Sequence, residues 1–167
     1  MDDEISLEIA EPDDAAKVLS LLRLLRVETE MFSVSADFER LTVDQEKHNL
    51  AQINDTTDNL VLLAWYHAEP IGIATVAKTT ADISAGEVGI AIEKKYWHQG
   101  VGTFMMDEIL NWGVNFSSLK KLVLTVVSEN KNAIKLYQKM GFTTIKTIKV
   151  KNDHDKILPA LLMEYKI

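Results

Sequence analysis

Glu87, Gly100 and Gly102 are the first residues in this chain whose types and spacing offer chemistry. They lie in GEVGIAIEKKYWHQGVGTFM, residues 86–105, where Val88, Ile90 and Ile92 fall on one strand face and Glu87, Gly89 and Ala91 on the other. The first face is apolar. The second carries almost no side chain, so a ligand has room to lie along it with a carboxylate at one end. Gly100 and Gly102 allow close backbone approach at the start of a helix, marked by Val101, Met105, Ile109 and Trp112 at helical spacing. Free N–H groups and the positive dipole end of such a helix form a seat for phosphate. The plain alternatives are an ordinary turn for the glycines and an exposed strand-end side chain for Glu87.

Rival motifs fail on inspection. A P-loop needs Lys and then Ser or Thr after its second glycine, but Thr103 follows Gly102 directly. A dinucleotide fingerprint needs a third glycine where Met105 stands, and its first glycine straight after the strand, whereas Glu93–Gln99 intervene. With no cysteine there is no thiol nucleophile, thiolate metal site or disulfide. No G-x-S-x-G elbow appears, and none of the four histidines falls in an H-E-x-x-H or other ligand pair, so no metal is expected.

The elements that position these residues follow from periodicity and caps. Ile5–Ile9 alternates as a strand, and Pro12 opens a helix with Val18, Leu21, Leu22 and Leu25 on one stripe. Thr42-Val-Asp-Gln45 is a capping box for a second helix, which ends before Asn54–Asn59. Between them, Val27–Phe38 breaks the pattern and carries Glu28 and Glu30 beside Met31 and Phe32, as a pocket-lining or a solvated loop would. Leu60–Trp65 and Ile71–Ala77 form a hairpin around His67–Pro70, and Thr79–Ala85 links it to the central strand. After the helix at 101–115, Leu122–Val127 reads as a strand buried on both faces. Ser128-Glu-Asn130 starts a helix capped by Gly141, and Phe142–Val150 and Ala160–Tyr165 are the last strands.

The 167 residues, 47% hydrophobic, suit a single domain spanning 1–167. No run of about 18 apolar residues is present, so no membrane is expected as a partner. The acidic start MDDEISLEIA lacks the pattern of a signal peptide and favours the cytoplasm. A net charge of −7, from 25 acidic and 18 basic residues, disfavours nucleic acid and favours a cationic partner. A phosphate site must then be locally basic. Lys94, Lys95 and His98 flank the glycine turn, with Lys131 and Lys135 further along, though each also suits an ordinary solvated surface.

Taken together, YWHQGVGTFMMDEILNWG at 96–113 and VSENKNAIKLYQKMGF at 127–142 resemble the GNAT superfamily of acetyl-CoA-dependent N-acetyltransferases. Asn130, Ala133, Tyr137 and Gly141-Phe142 fall at that family's spacing, and the element order fits from end to end. The resemblance implies an α/β (α+β) fold, with a mostly antiparallel mixed sheet of six to seven strands flanked by about four helices. That sheet would splay between the strands at 86–93 and 121–127. It also implies acetyl-CoA as co-substrate, its pyrophosphate on the backbone of Gln99–Thr103 and its pantetheine along Ile90–Ile92. Trp97, His98 and Ala133 would also touch the cofactor, Asn130 would contact the pantetheine arm, and Tyr137, beside the thioester, would protonate the departing thiolate. Trp97 stands where the family often has Arg or Gln, and Pro159 and Ala160 stand ahead of Met163 where close relatives often have Asp.

The implied activity is acetyl transfer by direct attack of a primary amine, on a small molecule or a peptide. Only a neutral amine attacks, and Glu87 is the residue that would take its proton, tuned by partial burial. Glu28 and Glu30 could recognise the amine's charge. A non-catalytic acyl-CoA-binding sensor or scaffold is the alternative, although Tyr137 with Glu87 favours catalysis. Dimers are common in the family, which makes a homodimer a candidate assembly.

Overall fold

A computed structural model describes residues 4–28, 40–152 and 155–167. Among these, the chain runs β1 (Ile5–Ile9), α1 (Ala15–Glu28), α2 (Val43–Asn54), β2 (Leu60–Tyr66), β3 (Glu69–Lys78) and β4 (Ala85–Ile92). It continues with α3 (Val101–Asn115), β5 (Lys121–Val127), α4 (Lys131–Lys139), β6 (Thr143–Lys151) and β7 (Ile157–Lys166). The seven strands form one sheet in the order β1-β2-β3-β4-β5-β7-β6. Only the β4–β5 pair is parallel; the others are antiparallel. This is the mixed α/β architecture expected from the sequence.

Local chemistry explains the helix starts. Thr42 Oγ1 accepts from the Gln45 N–H at 3.1 Å, while Gln45 Oε1 accepts from the Thr42 N–H at 2.8 Å, so the capping box closes at both ends. Pro12–Asp14 forms a short 3-10 turn ahead of α1 rather than its first turn, and Asp14 accepts from the Glu11 N–H at 2.8 Å.

Strand alternation divides the core between the two faces of the sheet. Along β2, Leu60, Leu62 and Ala64 join Val88, Leu122, Leu124 and Met163 beneath Val101, Met105, Met106 and Ile109 of α3 and Ile134 of α4. The intervening Val61 and Leu63 join Ile73 and Ala91 beneath Val18, Leu21 and Leu25 of α1 and Leu50 of α2. Each fully buried Leu, Ile or Met contributes about 1.5–3 kcal/mol to this packing. Ala91 therefore does not line an open, side-chain-poor surface, as the alternation suggested. Its small side chain is covered by the α1–α2 layer.

The feature that shapes the site is how β4 and β5 meet and part. Ahead of β4, Asp82 accepts from the Ser84 N–H at 2.9 Å and the Ser84 hydroxyl at 2.6 Å, and its other oxygen lies 3.1 Å from Lys121 Nζ. These hydrogen bonds, then the Lys121 ammonium, hold the Asp82 carboxyl down to about 2. They fasten the start of β4 to the start of β5. Parallel pairing then runs only through Ala85–Lys121, Gly86–Leu122 and Glu87–Val123. Beyond it β4 stays paired to β3 as far as Ile92–Gly72, and β5 to β7 as far as Val127–Ala160. The two central strands splay apart after Glu87.

Candidate active site

Among the described residues, the splay leaves the β5-facing edge of β4 without a strand partner beyond Glu87. Glu93 N–H donates to the Ile71 carbonyl at 2.8 Å, and amide direction alternates along an antiparallel strand. The peptide groups of Ile90 and Ile92 therefore face away from β3, and because Trp97 takes the Ile92 carbonyl, the two N–H groups and the Ile90 carbonyl are left open to the gap. Unpaired groups of this kind form sheet-like bonds with an extended ligand. The Ile90 and Ile92 side chains pack against the α3 side of the core.

After β4 the chain makes a 3-10 turn at Lys94–Tyr96. Trp97 donates its indole N–H to the Ile92 carbonyl at 2.7 Å, and Gln99 donates its side-chain amide to the Lys95 carbonyl at 3.2 Å. The Trp97 indole is thus spent on closing the loop. His98 (φ 60°) and Gly100 (φ 83°) both take left-handed backbone, which costs a residue with a Cβ about 1–2 kcal/mol. At Gly100 a Cβ would meet nothing within 4 Å, so conformation and not crowding requires glycine there. The first helical bond runs from the Phe104 N–H to the Gly100 carbonyl at 3.1 Å. The N–H groups of Val101, Gly102 and Thr103 precede it and have no intrahelical acceptor. The Val101 side chain is buried, so Val101 can serve a ligand only through its backbone. A Cβ on Gly102 would stand 3.3 Å from Leu136 of α4, so this glycine keeps α3 and α4 close beside the gap.

On α4 the N-cap is Asn130, within the Ser128-Glu-Asn130 start: its Oδ1 accepts from the Ala133 N–H at 3.2 Å. The Asn130 side-chain NH₂ remains to serve a ligand. Tyr137 packs against the α3 side of the core, its ring 6.0 Å from Phe142 in a T-shaped contact. Burial pushes its hydroxyl above the ordinary value of 10.0, so it stays protonated through the neutral range.

The end of α4 fixes that tyrosine. The Phe142 N–H donates to the Tyr137 carbonyl at 2.9 Å and the Gly141 N–H to the Gln138 carbonyl at 3.1 Å, the two bonds of a Schellman stop. Gly141 takes φ 106°, and a Cβ there would come within 3.0 Å of the Tyr165 ring. We expect Gly141→Ala to cost at least about 1–2 kcal/mol of stability. At this chain length each kcal/mol lowers Tm by about 2–4 °C. The variant should lose kcat more than acetyl-CoA affinity, because it loosens Tyr137 and not α3. A thermal melt with both kinetic constants checks this; a variant as stable as the parent would detach Gly141 from the positioning of Tyr137.

The acidic residues take three different positions. Glu87 follows strand alternation onto the face opposite Val88, beside the last β4–β5 pair, and it is exposed. The expected partial burial is not found: α1 and α2 cover this face at Ala91 and Ile73, not over Glu87. Glu28, the last residue of α1, accepts from the Lys94 backbone N–H at 2.9 Å. Glu30 lies outside the described residues. Of the lysines near the turn, Lys95 pairs with Glu93 at 3.7 Å and lies over the Tyr96 ring, and Lys94 lies over the Trp97 ring. Among the described residues no group of three or more His, Asp or Glu could hold a metal ion, and no helix is long and apolar enough to cross a membrane.

Acetyl-CoA fits these residues. Free amides at the start of α3 suit its pyrophosphate, and the open edge of β4 suits its amide-bearing arm. A family model described as the acetyltransferase (GNAT) family matches residues 21–142. The chain belongs to the GNAT acetyltransferase family. GNAT members are acyltransferases that transfer groups other than aminoacyl groups. Solved structures agree on the fold. The GNAT-family acetyltransferase of Streptococcus pneumoniae is 28% identical, with 98% of this chain and 100% of that one covered and a TM-score of 0.89. The Salmonella typhimurium protein yncA, solved with its cofactor acetyl-CoA, is 13% identical over 97% and 93% of the two chains, with a TM-score of 0.80. The ribosomal-protein-S5-alanine acetyltransferase of Vibrio fischeri is 15% identical over 99% and 94%, with a TM-score of 0.83. A search of curated proteins gave no match.

Proposed function

We propose that this GNAT chain is an N-acetyltransferase that passes an acetyl group from acetyl-CoA directly to a primary amine of a small molecule or peptide. The observation that carries this is the splay after Glu87–Val123, with the free amides at the start of α3 close to Ile92 and Tyr137 on the α3 side of the core. Acetyl-CoA supplies the thioester carbonyl. The chain's residues do the rest. Amides of Val101–Thr103 hold the pyrophosphate, and those of Ile90 and Ile92 align the arm so that the thioester reaches the narrow end of the gap. Val88 belongs to the α3 side of the sheet and Glu87 to the other, so acid and base act from opposite faces. Glu87 takes a proton from the amine on its face, directly or through water. Tyr137 gives one to the thiolate on the other. With no cysteine in the chain, no thiol carries the acetyl group, which favours a single displacement.

The test is thiol release from acetyl-CoA against a panel of primary amines, with the acetylated product identified by mass spectrometry. Release that depends on an amine, with a matching product, supports the proposal. Saturable acetyl-CoA binding with no amine-dependent release would mark a non-catalytic acyl-CoA-binding module instead.

A further inference from the structure

We infer that Glu28 is a positioning residue for the cofactor loop: its carboxylate, fixed at the end of α1, holds the Lys94 N–H and so sets where the turn leading into α3 stands. The inference rests on the functional reading above and assigns Glu28 to the cofactor side of the site, away from the amine. Three observations carry it. The bond joins residues 66 apart in sequence at 2.9 Å, so it ties together two separate elements. Among the described residues it is the one hydrogen bond that reaches residues 94–99 from an element other than β4, because Trp97 bonds back to Ile92 at the end of β4 and Gln99 to Lys95 within the loop. The base of the bond is also rigid. Leu25, one turn before Glu28, is fully buried between the sheet and α2, whereas Lys94 begins a 3-10 turn of three residues with no side-chain cap of its own.

The chemistry follows from the geometry. A carboxylate accepting a backbone N–H makes a charge-assisted bond, which is stronger than a neutral one. It also supplies the cap that the Lys94–Tyr96 turn lacks. Trp97 takes its position from that turn, and its indole closes onto Ile92, whose amide faces the gap. Releasing the Lys94 N–H would therefore let the segment ahead of Gly100 drift, and the α3 amides would have to be gathered again whenever the cofactor binds. A carboxylate spent in this way has less capacity left to attract an amine.

Four forms of the full chain decide the matter: the parent, Glu28→Ala, Glu28→Asp and Glu28→Gln. Asp keeps the charge but falls one methylene short of Lys94, while Gln keeps the reach and an accepting oxygen without the charge. Calorimetry should show acetyl-CoA Kd raised about tenfold or more in the Ala and Asp forms, and within about threefold of the parent in Gln. The KM for acetyl-CoA should follow the same order, with the KM for the amine unchanged. Amide exchange at Lys94 should be slow in the parent and Gln forms and fast in Asp and Ala, a readout that needs no ligand. If Ala fails to fold, the Asp and Gln pair carries the comparison. A Gln form as impaired as Ala, with the amine KM raised and Asp unaffected, would return Glu28 to charge recognition and overturn the latch. Fast Lys94 exchange in the parent would overturn it as well. If Lys94 exchange follows the expected order while the parent itself binds no acetyl-CoA, the latch stands as a contact and the functional reading above falls with the role assigned to it.

Discussion

Tyr137→Phe is expected to lower kcat by about 10²-fold while leaving the affinity for acetyl-CoA close to that of the parent. General acid catalysis contributes about 10²–10⁴-fold, and the environment of Tyr137 places it toward the low end. Burial lifts its hydroxyl above its usual value of 10.0, which keeps the proton in place at every working pH but also makes it a weaker donor. A group whose folded value is raised stays protonated up to that value, so kcat should not fall through loss of this proton as pH rises from 7 to 9. The ring packs against Phe142 and the core through its apolar edge, and Phe keeps those contacts. Far-ultraviolet circular dichroism and acetyl-CoA calorimetry should therefore match the parent. A kcat within about twofold of the parent would mean that water or another group protonates the thiolate.

Glu87→Gln is expected to cost about 10²-fold or more in activity at neutral pH, because Gln keeps the shape but cannot take a proton. The loss should shrink as pH rises, since more of the acceptor is then already neutral. The exposure of Glu87 raises a competing role, the simple attraction of a cationic amine. That role predicts a raised KM with nearly normal kcat, and added salt would mimic it in the parent by screening the charge. Profiles of kcat against pH for both proteins separate the two. Parallel profiles would remove the base assignment.

The parts of this fold written in local sequence were legible, and those made by distant contacts were not. Thr42 and Gln45 announce their capping box within four residues, and Gly141 announces the stop of α4. Alternation in β4 gave the faces of Val88 and Glu87, but it could not say that α1 would pack over Ala91, because that contact joins residues far apart in the chain. The Glu28–Lys94 bond left no local sign for the same reason. Strand ends were misjudged where one residue serves two structures. Phe142 begins no strand because its N–H completes the stop of α4. Ile157–Pro159 do belong to β7, because its ladder with β6 outruns its ladder with β5, which ends at Ala160. Proline is tolerated there, at a position beyond the last β5 pair.

Hydrogen exchange with and without saturating acetyl-CoA tests most directly whether the splay is the cofactor's seat. Protection should appear at the amides of Ile90, Ile92, Val101, Gly102 and Thr103, with none on the outer edges of β1 and β6. Saturable binding that leaves those five amides exchanging as in the free protein would contradict the account.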